Sequence, residues 1–202
     1  KKWYVSNDVV CAISKVTDDI VANVAPEVER HYIPHAVDTS IFKKLSSADI
    51  MNSKIQTMGS DSKDKFVFLW NNRNARRKQS GSLIFWFKEF LDKVGHDEAC
   101  LIMHTEPKDP NGQDLVAIVE ELELANGQVL LSKQKIPPSN LAMMYNIADC
   151  TINVSDAEGF GLSTLESMAC QTPIIVTMTG GLQEQVTNGE EWFGIGIEPS
   201  SK

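Results

Sequence analysis

Residues 150–166 contain an apolar run, Cys150-Thr-Ile-Asn-Val154, followed by Glu158-Gly-Phe-Gly-Leu-Ser-Thr-Leu-Glu166. The apolar run is typical of a buried strand, and the Gly-x-Gly turn leads into a predicted helix. A strand, a glycine turn and a helix N-terminus together present free backbone N–H groups to an anion. The carboxylates at both ends of the motif can accept hydrogen bonds from hydroxyl groups. The stretch therefore predicts a site for a sugar nucleotide, which carries phosphates between two hydroxylated groups.

The same motif has a structural interpretation that the sequence leaves open. Ser163 and Glu166 have the spacing of a capping box, in which the serine caps a helix and the glutamate bonds back to the cap N–H. Such a cap stabilises a helix by about 1 kcal/mol, and Glu158 would then be an ordinary loop carboxylate. Gly159 and Gly161 favour ligand binding, because glycines permit a close backbone approach that a cap does not need.

Residues 65–202 alternate between short apolar runs and longer amphipathic runs, a pattern that predicts an α/β fold. Strands rich in Val, Ile and Leu without regular alternation indicate burial on both faces. The alternation predicts a Rossmann-like parallel sheet with helices on both faces and right-handed crossovers. The predicted strands are Phe66–Trp70, Ala99–His104, Gln128–Leu131, Cys150–Val154, Pro173–Thr177 and Phe193–Ile197. The predicted helices are Ser82–Val94, Gln113–Ala125, Ser139–Ile147, Leu162–Cys170 and Gly181–Thr187.

The first part of the chain follows a different pattern. Asp8–Ser14 predicts a strand and Lys15–Val24 a helix, and an extended segment with a proline follows at 31–38. Residues 43–65 are polar and have little apolar periodicity. They predict either a linker or a surface helix with a mobile loop.

Composition excludes several classes of protein. The net charge of −8 argues against nucleic acid as a partner, because such binders normally carry a basic face. No apolar run approaches the 18 or so residues of a transmembrane helix, and the N-terminus lacks the apolar core of a signal peptide. The four cysteines show no CxxC spacing and predict buried free thiols. The four histidines are scattered, so we expect no metal site.

A second functional candidate is the basic loop Trp70-Asn-Asn-Arg-Asn-Ala-Arg-Arg-Lys78. It directly follows the first strand of the alternating region, and ligands of open α/β sheets bind beyond the carboxyl ends of the strands. The Glu158 turn also follows a strand, so both segments are expected at the same edge of the sheet. The loop would suit a diphosphate; the alternative is a solvated basic loop without function.

These segments resemble the family 4 (group 1) retaining glycosyltransferases, which have the two-domain GT-B fold. Residues 158–169 are similar to the family signature Asp/Glu-Gly-Phe-Gly-Leu-x-x-Leu-Glu-x-Met-Ala. Arg73 and Lys78 match the family's Arg-x4-Lys, which holds the donor diphosphate. Further similarity lies in Tyr145-Asn-Ile-Ala-Asp149, Gly180-Gly-Leu-Gln-Glu184 and Ile33-Pro-His-Ala-Val-Asp38.

The resemblance implies that the chain is the C-terminal, nucleotide-sugar-binding half of such an enzyme. Residues 1–38 would be the end of the N-terminal acceptor domain and the crossing between domains, and 39–64 a polar linker or surface helix. Residues 65–202 would be the nucleotide-sugar-binding domain, truncated at its C-terminus. The N-terminal domain of the same protein would be a missing partner, and we expect the isolated fragment to be inactive.

The resemblance also implies a chemistry: metal-independent, retaining hexosyl transfer from a donor that is UDP- or GDP-linked, with no cofactor. The acceptor, a glycan, lipid or protein, stays open, and we expect a cytoplasmic protein that is compatible with peripheral membrane association. The implied catalytic residues are Glu158, Arg73 and Lys78. The implied donor-binding residues are Glu166 at the ribose, Gly159, Phe160, Gly161, Leu162, Ser163 and Thr164 around the sugar and phosphates, and Ser132 and Lys133 at the base.

Some residues depart from the family pattern. Gln79 and Gln171 replace glycines, and His35-Ala36 replaces Asn-Gly. One alternative is therefore a degenerate or isolated module that binds a nucleotide sugar without turnover. A dinucleotide-dependent oxidoreductase is a weaker alternative, because no Gly-x-Gly-x-x-Gly follows the first strand.

Overall fold

A parallel β-sheet forms the centre of the structure. The computed structural model describes residues 2–199. The strands are β1 (Val9–Ala12), β2 (Glu29–Tyr32), β3 (Phe66–Asn71), β4 (Ala99–His104), β5 (Val129–Ser132), β6 (Cys150–Asn153), β7 (Ile174–Thr177) and β8 (Ile195–Ile197). The helices are α1 (Lys15–Val24), α2 (Ser47–Met58), α3 (Ser80–Val94), α4 (Leu115–Glu121), α5 (Pro138–Ile147), α6 (Leu162–Ala169) and α7 (Leu182–Val186).

Strands β3 to β8 form one six-stranded sheet in the order β5-β4-β3-β6-β7-β8, and every neighbouring pair is parallel. The chain runs from β3 outward to β5, returns through α5, and continues from β6 outward to β8. The winding direction therefore reverses between β3 and β6, where Phe68 lies opposite Cys150. Ligands of open α/β sheets bind outside the carboxyl ends of the strands at such a point.

Helices cover both faces of this sheet, which confirms the predicted fold class. Along β3, Phe68 and Trp70 pack into one apolar cluster with α3 and α4. Val67 and Leu69 point the other way and pack with α5 and the partly buried side of α2. A smaller cluster joins β7 to α7. Burial on both faces explains why the strands appear in the sequence as continuous apolar runs rather than alternating ones.

The predicted elements are confirmed with shifted ends. The helix predicted over Gln113–Ala125 ends at Glu121, because Glu123 takes a left-handed φ of 59° that a helix cannot continue. Of the two alternatives for residues 43–65, a helix is correct over Ser47–Met58. It is capped by the Ser46 hydroxyl, which accepts from the Asp49 N–H at 3.1 Å.

The sequence does not predict strand β2, since the predicted extended segment at 31–38 covers only its last two residues. All four of its residues are exposed and polar or aromatic, so no apolar run marks it in the sequence. The prediction of buried thiols holds for Cys100, Cys150 and Cys170 but is wrong for Cys11, which is exposed. Cys11 lies on the exposed side of β1, whereas its neighbour Ala12 is buried.

Strands β1 and β2 and helix α1 form a small parallel β-α-β unit beside the large sheet. One carboxylate, Glu184 of α7, ties this unit to the rest of the fold. It accepts from the Lys15 N–H at 3.1 Å and from the Tyr32 hydroxyl at 2.8 Å. Burial and this carboxylate raise the pKa of Tyr32 to about 12. The contact brings Ile13 and His35 to the edge of a cavity at the carboxyl end of the sheet.

Candidate donor-binding site

A cavity of about 540 Å³ opens where the winding of the sheet reverses. Its walls come from the loops after β3 and β6, from the start of α6 and from the β-α-β unit. It is lined by Ile13, His35, Asn71, Asn72, Arg77, Lys78, Leu141, Glu158, Gly159, Phe160, Gly161, Leu162, Ser163 and Glu166. The basic loop and the Glu158 turn thus lie at the same edge of the sheet, as predicted from their positions after parallel strands.

Lys78 and Glu158 form a buried ion pair in the cavity. The Lys78 ammonium donates a hydrogen bond to the Glu158 carboxylate, and their side chains are only 6% and 13% exposed. Burial and the nearby Arg77 guanidinium lower the pKa of Lys78 to about 8, whereas the Glu158 carboxylate favours its charged form. Arg77 lies 3.8 Å from the same carboxylate. Two cations and one anion therefore meet here, with a local positive excess.

Backbone hydrogen bonds hold the two loops together. The Arg77 carbonyl accepts from the Asp156 N–H at 2.8 Å and from the Ser155 hydroxyl at 3.1 Å. The Arg77 guanidinium donates to the Ala157 carbonyl at 2.6 Å. Gln79, at a left-handed φ of 51°, donates to both Asp156 oxygens at 2.8 and 2.9 Å. These bonds show how a glutamine occupies a backbone conformation that the related glycine adopts without strain.

Helix α6 begins at Leu162, after Gly161 with a φ of 95°. The backbone N–H groups of Leu162 and Ser163 have no acceptor among the described residues, and both residues line the cavity. They are the free donors of a helix N-terminus, where the positive end of the macrodipole favours an anion. The glycine turn and helix N-terminus that the sequence predicts as an anion site therefore lie at the wall of the cavity.

The capping-box interpretation of this segment is wrong. Ser163 lies inside the first turn rather than at the cap, and no side chain caps α6. Glu166 does not reach back to the helix start: its Oε2 accepts from the Tyr145 hydroxyl at 2.7 Å. Burial raises the pKa of Glu166, and this hydrogen bond opposes the rise. Its other oxygen accepts no hydrogen bond from residues 2–199.

The glycines of the site differ in what they do. A β-carbon on Gly180 would overlap the Glu158 carbonyl oxygen, so this glycine allows the turn after β7 to support the Glu158 backbone. Gly161 needs its positive φ and packs on Leu182. Gly159 has neither constraint, since a β-carbon there would meet only Ile13 at 3.5 Å. Of these three glycines, only Gly159 lines the cavity at a position where the fold itself does not require a glycine.

Four predicted site residues lie outside the cavity. Arg73 is 65% exposed and pairs with Asp109 at 2.7 Å, a contact that lowers the pKa of Asp109 to about 2. The Thr164 side chain is buried and bonds Gly161 and Gln185. Ser132 lines a separate cavity of about 940 Å³ on the other flank of α5, and Lys133 is exposed beside it. The structure brings together the other eight predicted residues.

Sequence patterns missed the residue that shapes the basic loop. Asn74 is fully buried, and its amide donates to the Pro107 carbonyl at 3.2 Å and to the Gln113 carbonyl at 2.7 Å. Its Oδ1 accepts from the Ser80 hydroxyl at 2.8 Å. These bonds tie the loop after β3 to the loop after β4. Only its place after a strand, in a loop with two further asparagines, could have drawn attention to it.

Comparison with known proteins decides the family. The model of the glycosyl transferases group 1 matches residues 53–202, about three quarters of the chain. The chain belongs to the group 1 glycosyl transferases. The resemblance carried by residues 158–169 and by the basic loop is thereby confirmed.

Other members of the group 1 glycosyl transferases and solved structures extend the comparison. N-acetyl-alpha-D-glucosaminyl L-malate synthase of Bacillus anthracis is 25% identical over 188 residues, 93% of this chain and 46% of that protein. Sucrose-phosphate synthase from Thermosynechococcus elongatus superimposes with a TM-score of 0.78 and 25% identity, over 96% of this chain and 46% of that one. HepE of Anabaena, in complex with UDP and glucose, superimposes with a TM-score of 0.76 and 22% identity, over 95% of this chain and 50% of that one.

These matches confirm a Rossmann-like half of a GT-B glycosyltransferase fold and show that the chain spans about half the length of its matched relatives. Within residues 2–199, His, Cys, Asp and Glu side chains form no group of three or more that could hold a metal ion. None of the helices in that range is long and apolar enough to cross a membrane.

Proposed function

We propose that the whole protein transfers a hexosyl group from a nucleoside diphosphate sugar to an acceptor, with retention of configuration, and that this chain binds the donor. The observation that carries the proposal is the cavity where the sheet winding reverses. There, the cations of Lys78 and Arg77, the free N–H groups of α6 and the carboxylates of Glu158 and Glu166 line one cavity. A basic patch, a hydroxyl-binding carboxylate and a helix N-terminus in one cavity match the parts of such a donor.

The diphosphate would bind at the Lys78 end of the cavity. When the glycosidic bond breaks, the leaving diphosphate gains negative charge, which fixed cations and oriented dipoles stabilise without reorganisation. Lys78 supplies a buried point charge, and Arg77 offers a fork that can hold two phosphate oxygens. The N–H groups of Leu162 and Ser163 add the helix dipole. These groups could neutralise the leaving group without a metal ion, which is why we propose metal-independent transfer.

Glu158 would lie at the sugar. Its carboxylate can accept a sugar hydroxyl and stabilise positive charge that develops on the ring. We do not propose it as a covalent nucleophile, because that mechanism needs a second close carboxyl group as the acid, and Glu166, the other carboxylate of the cavity, is proposed to bind the ribose. Diphosphate binding would draw Lys78 towards the phosphates and leave Glu158 freer to contact the donor.

The role in diphosphate binding that the family resemblance implies for Arg73 stays a prediction. Its guanidinium would have to leave Asp109 to reach a phosphate in the cavity. Arg77 is adjacent to Lys78 in sequence, whereas Arg73 lies five residues before it, and Arg77 already contacts Ala157 and Glu158. The base-binding roles of Ser132 and Lys133 also remain predictions, as do a UDP- or GDP-linked donor and a cytoplasmic location.

Calorimetry on this 202-residue chain tests the proposal. UDP, GDP and ADP are titrated alongside uridine, guanosine and adenosine, into the wild type and three variants: Lys78→Ala, Arg77→Ala and Arg73→Ala. We expect Lys78→Ala to weaken the preferred diphosphate at least about tenfold, the loss of one charged hydrogen bond, and to leave the nucleoside unchanged. Lys93→Ala, an exposed cation on α3, is the matched control. Equal losses for diphosphate and nucleoside would contradict a diphosphate site.

The alternative is a module that binds a nucleotide sugar without turnover, because the chain spans only about half of its relatives. Both hypotheses predict nucleotide binding, and they differ in activity. The whole protein, incubated with the donor that binds best, should release nucleoside diphosphate and transfer sugar. Tight binding with neither transfer nor slow donor hydrolysis would favour the binding module.

A further inference from the structure

The hydroxyl of Tyr145 connects two residues that line the donor cavity. The Asn71 side-chain amide donates to it at 2.8 Å, and it donates to Glu166 Oε2 at 2.7 Å. Asn71 ends strand β3, Tyr145 lies in α5 and Glu166 in α6, so one hydrogen-bonded chain crosses three elements. Tyr145 itself is fully buried and cannot touch a ligand.

We propose that Tyr145 is a positioning residue that, with Asn71, orients the Glu166 carboxylate and makes the cavity selective for ribonucleotides over nucleotides without ribose hydroxyls. The proposal rests on the proposed function, because it takes Glu166 as the group that receives the ribose. It adds a residue outside the cavity and a substrate preference that the residue controls.

The direction of the hydrogen bonds explains how the chain would work. An amide donor from Asn71 occupies a lone pair of the Tyr145 oxygen, so the hydroxyl proton points to Glu166. Glu166 Oε2 is held in this way, and Oε1 has no hydrogen bond from the described part of the chain. A carboxylate fixed through one oxygen presents the other at a defined angle. Sites built to bind a hydroxyl discriminate strongly against analogues that lack it, because the buried acceptor is then left unpaired.

The electrostatics support the same role. Burial alone raises the pKa of Glu166 and so favours a protonated group, which would donate rather than accept one hydrogen bond. The hydrogen bond from the Tyr145 hydroxyl opposes this rise in the pKa and favours the ionised form, in which both oxygens accept. Ribose presents two neighbouring hydroxyl donors, which suit an ionised carboxylate.

A purely structural role for Tyr145 is the competing explanation. Its ring packs edge-on against Phe42, with centroids 6.2 Å apart, inside the apolar cluster of that face. Tyr145→Phe separates the two explanations, because it keeps the ring and its packing and removes only the hydroxyl. The two partners that lose a bond, Asn71 and Glu166, both line the open cavity and can bind water instead.

The experiment compares UDP with 2′,3′-dideoxy-UDP by calorimetry on this chain, and GDP with its dideoxy analogue as a second pair. We expect the wild type to prefer the ribonucleotide, Tyr145→Phe to reduce that preference about tenfold, and dideoxy binding to stay constant. Glu166→Gln should lose the same preference, and Tyr145→Phe/Glu166→Gln should lose no more than Glu166→Gln alone. Asn71→Ala is a second variant, expected to reduce the preference to a smaller extent.

The outcomes separate this inference from the proposed function. Unchanged ribose preference in both folded variants, Tyr145→Phe and Asn71→Ala, overturns the inference and leaves the donor site standing. Equal weakening of UDP and its dideoxy analogue by Tyr145→Phe also overturns it, since that result indicates a general packing defect. A wild type that binds neither nucleotide pair overturns the proposed function and the inference with it.

Discussion

Replacing Gln171 by glycine should stabilise the protein, and the structure gives both the sign and the size of the change in the free energy of unfolding. Gln171 follows α6 with a left-handed φ of 59°. Its N–H donates to the Met168 carbonyl at 2.9 Å, and the Thr172 N–H donates to the Ser167 carbonyl at 3.0 Å. This pair of bonds is the Schellman motif, whose left-handed position is usually occupied by glycine. The glutamine side chain is exposed and makes no hydrogen bond within residues 2–199.

The expected gain is a difference of two terms. A residue with a β-carbon in the left-handed region costs about 1–2 kcal/mol. Glycine in its place adds chain entropy to the unfolded state, a loss of about 0.5–1 kcal/mol. The net gain for Gln171→Gly is about 0.5–1 kcal/mol, which corresponds to a rise in Tm of about 1–4 °C for a chain of this size.

Calorimetric melting of the wild type and matched variants tests this value. Gln171→Ala keeps the β-carbon and its strain, so its Tm should stay at the wild-type value. Gln79→Gly relieves the same backbone strain but removes the two hydrogen bonds to Asp156, and it should gain less than Gln171→Gly. A Tm for Gln171→Gly at or below that of Gln171→Ala would refute the reasoning about the helix end.

Two further predictions concern the donor cavity itself. Gly159→Ala should fold with a wild-type Tm yet bind the preferred nucleotide sugar less tightly, since its β-carbon would meet only Ile13, and both residues line the cavity. Gly161→Ala should lower the Tm instead, because it strains a φ of 95° against Leu182. Titrations and melting curves of both variants test this, and a lower Tm for Gly159→Ala with a wild-type Tm for Gly161→Ala would contradict it. Lys78 should make diphosphate binding depend on pH: its pKa of about 8 in the free cavity means that the ammonium is lost as pH rises through 8, whereas a bound diphosphate favours the ammonium. Binding should therefore take up a proton above pH 8 and weaken by up to about tenfold per pH unit, as measured by calorimetry in buffers of different ionisation enthalpy, and Lys78→Arg should abolish this dependence because arginine does not titrate there. A wild type with the same affinity at pH 7 and pH 9.5 would contradict the depressed pKa.

Much of the fold could be predicted from local patterns. The central strands of the large sheet are buried on both faces, so each appears as an apolar run that needs no knowledge of its neighbours, whereas the edge strand β8 is exposed at Ile195 and Ile197. The loops after β3 and β6 could be placed at one edge because parallel strands have their carboxyl ends together. The order of the strands and the contact between β3 and β6 were not predicted, since they depend on which way each crossover turns.

The structure also separates two cations that the sequence does not distinguish. Arg73 and Arg77 are equivalent in charge and lie in one loop, but Arg73 pairs with Asp109 and Arg77 lines the cavity. The partners that separate them, Asp109 for Arg73 and Ala157 for Arg77, lie more than thirty residues away in sequence. A spacing rule cannot contain such a contact, because it records only the distance along the chain.

The sequence by itself determined the α/β class, the family and the segment from Glu158 to Glu166 as one wall of a site, because glycines, carboxylates and apolar runs act locally. Only the tertiary structure decided what each end of that segment contacts. Glu166 could have capped its own helix, yet it bonds Tyr145 of α5, and Glu158 bonds Lys78 from another loop. Both partners are distant in sequence, and a charged or hydroxylated side chain takes the partner that packing brings within reach. The physical reason is that burial removes water as an alternative partner, so the surrounding fold selects the hydrogen bond.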